Sequence, residues 1–249
     1  ALLKGIRAHI NKKWVLDDSY EMAPEGLSVS VVIPARNEER GVEACVQSAL
    51  DQDHPSVQVV VLDDGSTDQT GAILERLQVN NERLTVVQPE ASELPEGWFG
   101  KPWALQRAQR YATGRWLLFV DADVVLAPEA VSRAVEYARV HKLDMLTGLG
   151  QLQMDSFWEK IMQPVVGGLI LAGNSLSSVN NPEKPEKNLA NGQFILISRD
   201  AYDDIGRHAS VQNNILDDIG IARALVANEK TYHCLYLDAL FRCRMYTSF

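Results

Sequence analysis

Cysteine is scarce in this chain of 249 residues. Cys45, Cys234 and Cys243 form no CxxC pair and leave one thiol over in any disulfide scheme. That excludes a disulfide framework and fits a reducing compartment with structural thiols. His9, His54, His141, His208 and His233 lack zinc-ligand spacing and read as core or surface residues. Positive charge is also short: 24 basic residues face 33 acidic ones, a net charge of −9. Binding a nucleic-acid polymer needs basic surface, so that partner is excluded, whereas one nucleotide held through a metal is not. No signal peptide is visible, and no run approaches the roughly 20 apolar residues of a spanning helix. The apolar stretch Ile161 to Val179 is interrupted by Gln163, Pro164, two adjacent glycines and Asn174. It reads as a buried or interfacial segment, with membrane contact as the alternative. The chain opens on Ala1 and stops at Phe249 soon after an expected strand, so the expectation is an excised domain with room for flanking membrane segments.

What is present has the balance of a folded globular protein, 46% hydrophobic and 23% charged. Residues 1–28 form an N-terminal extension in which Lys4, Arg7, Lys12 and Lys13 surround Leu2, Leu3, Ile6, Ile10 and Trp14. The spacing suits a helix, either an amphipathic surface helix or one lying on an anionic membrane. From Val29 the chain alternates. Strands are expected at Val29 to Ile33, Val57 to Leu62, Leu84 to Val87 and Trp116 to Val120. Helices are expected at Glu38 to Asp51, from a Ser66 or Thr67 cap to Val79, at Pro102 to Ala112 and at Pro128 to Val140. This order indicates a parallel sheet with helices on both faces. The second half is less regular. Leu143 to Leu152 reads as strand, Asp155 to Val179 as mostly helix, Asn180 to Asn188 as loop and Gln193 to Ser198 as strand. A short helix at Arg199 to Ile205, a helix at Ile215 to Asn228 and strands near Tyr232 to Leu235 and Ala239 to Arg244 follow. Phe157, Trp158, Ile161, Met162, Val165 and Leu169 form either a core stripe or an acceptor groove. The simplest parse is one α/β catalytic domain over 29–249, with a donor half at 29–126 and an acceptor half at 127–249.

In open α/β sheets ligands bind beyond the carboxyl ends of the strands. Three such ends are unusually polar: Pro34-Ala35-Arg36-Asn37-Glu38, Asp63-Asp64-Gly65-Ser66-Thr67-Asp68 and Asp121-Ala122-Asp123. Each alone could be a capped turn or a solvated acidic turn. Together on one edge they make a ligand site. Crowded carboxylates repel unless a cation joins them, and hard oxygens suit Mg²⁺ or Mn²⁺ shared with phosphate.

Those three segments, in that order and spacing, resemble glycosyltransferase family 2. Gly97-Trp98-Phe99-Gly100-Lys101-Pro102-Trp103-Ala104-Leu105, Val179-Asn180-Asn181-Pro182, Asn191-Gly192-Gln193-Phe194, Ser198-Arg199-Asp200-Ala201-Tyr202 and Leu216-Asp217-Asp218 are similar to its hopanoid-associated and lipid- or carotenoid-modifying members. The resemblance implies a GT-A fold, a mostly parallel sheet flanked by helices. It implies that Pro34, Ala35, Arg36 and Glu38 line the base and ribose pocket. Asp64 would bond the base with Asp63 supporting, and Lys101 would face the ribose or diphosphate. Asp121 and Ala122 would approach the ribose or sugar, Asp123 would ligate Mn²⁺ or Mg²⁺, and Asp218 would be the general base. Many members carry Glu where this chain has Asp217, which leaves open which of the two Asp acts. The implied reaction is inverting transfer of a sugar from a nucleotide-diphospho-sugar, expected to be a UDP-sugar, to a lipid or isoprenoid-type hydroxyl at the cytoplasmic face of a membrane. The Gln-x-x-Arg-Trp signature of processive relatives is missing, with Arg242 and Arg244 standing nearest, which favours single addition.

The chemistry is consistent with those roles. The leaving phosphate builds negative charge that a cation and Lys101 could offset, and the attacking hydroxyl needs a carboxylate to take its proton. Adjacent Asp217 and Asp218 can raise one pKa, or simply cap a helix N-terminus. The alternatives are a nucleotide-sugar-binding protein without catalysis and a nucleotidyltransferase. The latter usually needs a glycine-rich basic loop after the first strand, which Pro34-Ala35-Arg36-Asn37-Glu38 does not supply. A receiver-type signalling domain would carry its acidic pair after the first strand in a chain half as long.

Overall fold

In a computed structural model of the chain, the described residues are 12–16, 20, 26–89, 94–153 and 175–243. β1 (Val29–Ala35) and β2 (Val57–Asp63) are β-branched and apolar, and Val31, Val32, Ile33, Val59, Val60, Val61 and Leu62 have no exposed surface. Strands buried on both faces must be covered on both sides, which is the condition for a parallel sheet. α1 (Val42–Leu50), α2 (Thr70–Val79), β3 (Leu84–Val87) and α3 (Gly100–Ala108) complete the first alternations. β4 (Trp116–Phe119), β5 (Val124–Leu126), α4 (Ala130–Val140), β6 (Met145–Leu149) and β7 (Gln151–Leu152) follow. The remainder is α5 (Leu176–Val179), β8 (Ile195–Ser198), α6 (Arg199–Asp204), α7 (Asp217–Ala227), β9 (Tyr232–Tyr236) and β10 (Phe241–Cys243).

The main sheet has the order β3-β2-β1-β4-β8-β6-β9. β8 runs antiparallel to β4 and β6, and every other adjacent pair is parallel. A second, three-stranded sheet has the order β5-β10-β7. The carboxyl ends of β1, β2 and β4 lie side by side, with Ala35 paired to Asp63 and Val32 to Phe119. The polar loops that follow these strands therefore leave from one edge.

Several boundaries differ from the sequence reading. The first helix begins at Val42, because Glu38 to Gly41 forms a turn in which the Gly41 and Val42 amides donate to the Glu38 carbonyl. Neither Ser66 nor Thr67 caps the second helix. Their amides are taken by Asp63 Oδ1 and Asn37 Oδ1, and Asp68 Oδ1 instead accepts from the Thr70 amide. The expected single strand from Leu143 to Leu152 splits at Gly150. An added Cβ there would lie 2.3 Å from the Phe241 ring, so the chain leaves the main sheet around that ring and joins β10.

Of the N-terminal extension, the 3₁₀ turn Lys12–Trp14 is described. Trp14 is buried, its Nε1 donates to Ser177 Oγ at 3.1 Å, and the Leu16 amide bonds the Tyr236 carbonyl. The rest of the expected amphipathic helix lies outside the described residues. So do most of the stretch expected as Asp155 to Val179, the stripe Phe157 to Leu169, and Arg244. Among the described residues no helix is long and apolar enough to cross a membrane.

Candidate active site

The first two strand-end loops are laced together. Asn37 adopts a left-handed φ of 56°, its amide donates to Ser66 Oγ at 3.0 Å, and its Oδ1 accepts from the Thr67 amide at 2.8 Å. The Glu38 amide donates to Thr70 Oγ1 at 2.8 Å. Asp63 is buried and its Oδ1 accepts from the Ser66 amide at 3.0 Å, so it shapes the loop. Asp64 is the carboxylate that remains open to a ligand. Its amide is fixed on the Ala35 carbonyl at 2.8 Å, and its Oδ1 is gripped by the Arg107 guanidinium from α3. Arg36 also approaches Asp64, at 3.9 Å. Arg107 is 12% exposed and Arg36 67%, so the Arg107 pair is far less screened by solvent and is the stronger of the two. The sequence reading missed Arg107. The available signal was a basic residue one turn after Trp103 and Ala104 on the helix that begins at Gly100.

The third loop, Asp121-Ala122-Asp123, links β4 to β5. It packs on bare Gly41, where a Cβ would come within 3.1 Å of the Ala122 carbonyl oxygen. Lys101 Nζ forms an ion pair with Asp121 Oδ1. Burial alone would lower the Lys101 pKa, but Asp121, Asp217 and Asp218 outweigh it and hold the ammonium above its usual value. Asp123 has no such partner. Its Oδ1 is buried without a hydrogen bond, and burial, with Asp121 adding repulsion, pushes its carboxyl up to about 6. Glu38 is raised by the same causes, burial first and then Asp123, Asp121 and Asp68. Cys45 and Cys243 close the loop from behind. Cys45 Sγ donates to the Asp121 carbonyl at 3.4 Å, and burial followed by Asp123 pushes Cys243 up to about 12. All three thiols are free and buried.

Hard carboxylate oxygens with one orphaned atom form a donor set suited to a divalent cation. Among the described residues no three His, Cys, Asp or Glu side chains converge on one point, so an ion here would draw further ligands from a diphosphate or water.

Asp217 and Asp218 open α7. Asp218 Oδ2 accepts from the Gly192 amide at 3.0 Å and its Oδ1 from the Ile219 amide at 2.8 Å. Asp217 is raised by burial, with Lys101 opposing and Asp218 adding to the rise. Gly192 faces both charges: a Cβ there would stand 3.1 Å from Lys101 Nζ and 3.7 Å from Asp218 Oδ2. The structure therefore brings Lys101, Asp121, Asp123, Asp217 and Asp218 together, with Glu38 beside them and Pro34 and Ala35 as the strand end beneath. Asp64 with Arg36 and Arg107 forms a neighbouring cluster. Behind Lys101, buried His208 is held neutral, its pKa lowered to about 3 by burial and by the Lys101 charge, with Tyr202 Oη bonded to its Nδ1. Trp98 meets Trp103 edge-on at 5.0 Å, and Arg107 lies 5.3 Å from the Trp103 ring centre.

A cavity of about 300 Å³ lies at the other edge of the sheet, lined by Arg115, Trp116, Arg139, Ser198 and Arg199 among others. Its Arg199 guanidinium is committed to the Gly114 and Ala112 carbonyls, both at 2.8 Å, so it staples the loop before β4.

The family described as "Glycosyl transferase family 2" matches residues 30–206. The putative teichuronic acid biosynthesis glycosyltransferase TuaG of Bacillus subtilis (strain 168) is 33% identical over 109 residues, covering 44% of this chain and 41% of the relative. A 4,4'-diaponeurosporenoate glycosyltransferase of Staphylococcus aureus (strain bovine RF122 / ET3-1) is 25% identical over 198 residues, 79% of this chain and 51% of the relative. The chain thus spans about half the length of the curated relatives it matches. Among solved structures, the mannosyltransferase PcManGT from Pyrobaculum calidifontis in complex with GDP-Man and Mn²⁺ superposes with a TM-score of 0.64 at 22% identity, covering 98% of this chain and 64% of that one. S. aureus TarS 1-349 in complex with UDP-GlcNAc superposes with a TM-score of 0.59 at 22% identity, over 89% and 60%. At these identities the likeness is one of fold.

Proposed function

The chain belongs to glycosyl transferase family 2 and has the GT-A fold, and from that premise we propose that it transfers a sugar, with inversion, from a uridine-diphospho-sugar to a hydroxyl of a lipid-type acceptor. One observation carries the reading. The Lys101 ammonium pairs with Asp121 on the strand-end side and is electrostatically coupled to Asp217 and Asp218 on the other, beside the orphaned Asp123 oxygen. A sugar carbon placed between these two acidic groups would have its leaving phosphate on one side and its attacking hydroxyl on the other.

Residues 29–126 would hold the donor and 127–249 the acceptor. Asp64, oriented by Arg107, would accept a base N–H, with Pro34, Ala35 and Arg36 lining the pocket. Asp121 and Ala122 would border the ribose and sugar. Asp123, with the donor's own diphosphate oxygens, would hold Mn²⁺ or Mg²⁺. A divalent ion so bound would offset the negative charge left on the departing diphosphate. Lys101 adds a second positive charge at that point. Asp218 would take the acceptor proton on Oδ2, whose position is fixed by the Gly192 amide. Asp217 would stand beside that base, within the field of the Lys101 ammonium. A single displacement with the base opposite the leaving group inverts the anomeric centre. The relatives named as 4,4'-diaponeurosporenoate glycosyltransferases support a lipid-type acceptor, which the domain would meet at a membrane surface.

A thermal-shift titration with UDP, GDP and their Mn²⁺ complexes tests the donor. Stabilisation scales with ligand concentration over dissociation constant. The expected result is a Mn²⁺-dependent preference for UDP. A preference for GDP would overturn the uridine assignment, and the absence of any nucleotide response would overturn the transferase reading.

A further inference from the structure

We propose that Phe99, Ile215 and Leu216 form a rim on which the apolar chain of the acceptor docks, an inference that rests on the transferase reading above. Phe99 is 43% exposed, Ile215 83% and Leu216 60%. Single exposed apolar residues need no explanation, but three of them on two tethered loops beside a charged centre do. These three sit on two loops that are fastened together. The Phe99 amide donates to the Gln212 carbonyl at 2.9 Å, and a Cβ on Gly97 would lie 3.9 Å from Gln212 Nε2. Each loop runs straight into the charged centre. Phe99 stands two residues before Lys101, which pairs with Asp121, and Leu216 stands one residue before Asp217. An acceptor whose hydroxyl reaches Asp218 would have its adjoining atoms close to the roots of both loops.

Charge and area select the occupant. Neither the stretch 97–100 nor the stretch 212–216 carries a charged residue, although the whole chain has a net charge of −9. An anionic bilayer face would find no Lys or Arg on the rim to hold it. A second copy of the chain needs more surface. A stable interface buries about 800 Å² per partner, and three side chains of at most about 200 Å² each fall short of it. A single uncharged hydrocarbon chain is the partner that fits a narrow apolar strip beside a hydroxyl-activating carboxylate.

The test uses bromododecanol, whose bromine quenches tryptophan emission, with Trp98 beside Phe99 as the reporter. Bromobutanol is the short-chain control. In the wild type bromododecanol should quench saturably at concentrations where bromobutanol does not. The Ile215→Ser/Leu216→Ser double variant should bind it about tenfold more weakly or worse, since two exposed apolar contacts are removed. Equal saturation in the two proteins, or no saturation in the wild type, overturns the rim. Both positions are exposed, so the variant's melting temperature should stay close to the wild type. If it does not, Phe99→Ser alone carries the same comparison. Sedimentation velocity on both proteins reports a competing occupant: a wild-type dimer lost in the double variant would make the rim a contact between copies and overturn the proposal. Titrating the wild type with UDP and Mn²⁺ reports separately on the donor, so a failed transferase reading and a failed rim give different results.

Discussion

Asp123 concentrates the tension of the site in one oxygen atom. A carboxylate buried beside another carboxylate, with one oxygen left without a donor, costs stability when ionised. Asp123→Asn should therefore raise the melting temperature in EDTA by about 2–4 °C, the shift expected for about 1 kcal/mol in a domain of this size. The same variant should lose the extra stabilisation that Mn²⁺ adds to UDP. Calorimetry in EDTA and in Mn²⁺ measures both, and an undiminished Mn²⁺ increment would remove Asp123 from the metal. Arg107 poses the complementary question. Hydrogen bonds to charged groups contribute about 1.5–3 kcal/mol, so Arg107→Met should weaken UDP binding roughly ten- to hundredfold by releasing Asp64. Isothermal titration with an unchanged dissociation constant would mean that Asp64 needs no such support.

The elements show where sequence patterns carry information and where they run out. The buried strands β1, β2 and β4 and the acidic residues after them were legible because each is local: an apolar run followed by polar residues at a sheet edge. The helix starts were not. Ser66 and Thr67 look like caps in isolation, but Asp63 and the distant Asn37 take their amides. β5 was equally hidden, since a three-residue strand exists only by pairing with β10, more than a hundred residues away. Arg107 resembles any surface arginine until the fold places Asp64 against it. Gly192 is another case: the sequence marks it only as part of the family-like segment Asn191-Gly192-Gln193-Phe194, while the fold puts it between Lys101 and Asp218. A methyl group there meets Lys101 Nζ at 3.1 Å, and because that atom ends a flexible side chain the fold can accommodate it by moving the charge. Gly192→Ala should leave the urea midpoint within about 0.5 kcal/mol of wild type in free-energy terms while lowering kcat at least about tenfold, the sensitivity expected of a displaced charge in a catalytic site. An intact kcat would show that Lys101 need not occupy its present position.

At the scale of the molecule, acid stability separates two opposing sets of groups. Asp123, Asp217 and Glu38 are raised, so lowering the pH from 7 relieves them. His208 is depressed to about 3, against about 6.5 for an unfolded histidine. Between those values the unfolded chain binds the extra proton, so the contribution of His208 is present above about 6.5 and is lost as the pH falls toward 3. For a fully buried group this amounts to about 2 kcal/mol between pH 7 and 5. The stability difference between wild type and His208→Gln, read from urea unfolding, should narrow by that amount over the interval. A difference that stays constant with pH would mean that His208 takes up its proton in the folded state as readily as in the unfolded one.

The antiparallel strand β8 has a consequence in time. It lies between β4 and β6, so β4 can complete its pairing only after Ile195–Ser198 has been made. About 75 residues separate the end of β4 from the start of β8, and at about 5–20 residues per second the ribosome needs roughly 4–15 s to supply them. Through that interval the four apolar residues of β4 present an unpaired edge on a nascent chain whose first three strands can already pair. A ribosome paused within 120–194 lengthens the exposure, and strand-to-strand misassociation between neighbouring nascent chains is the failure to which this topology is most open.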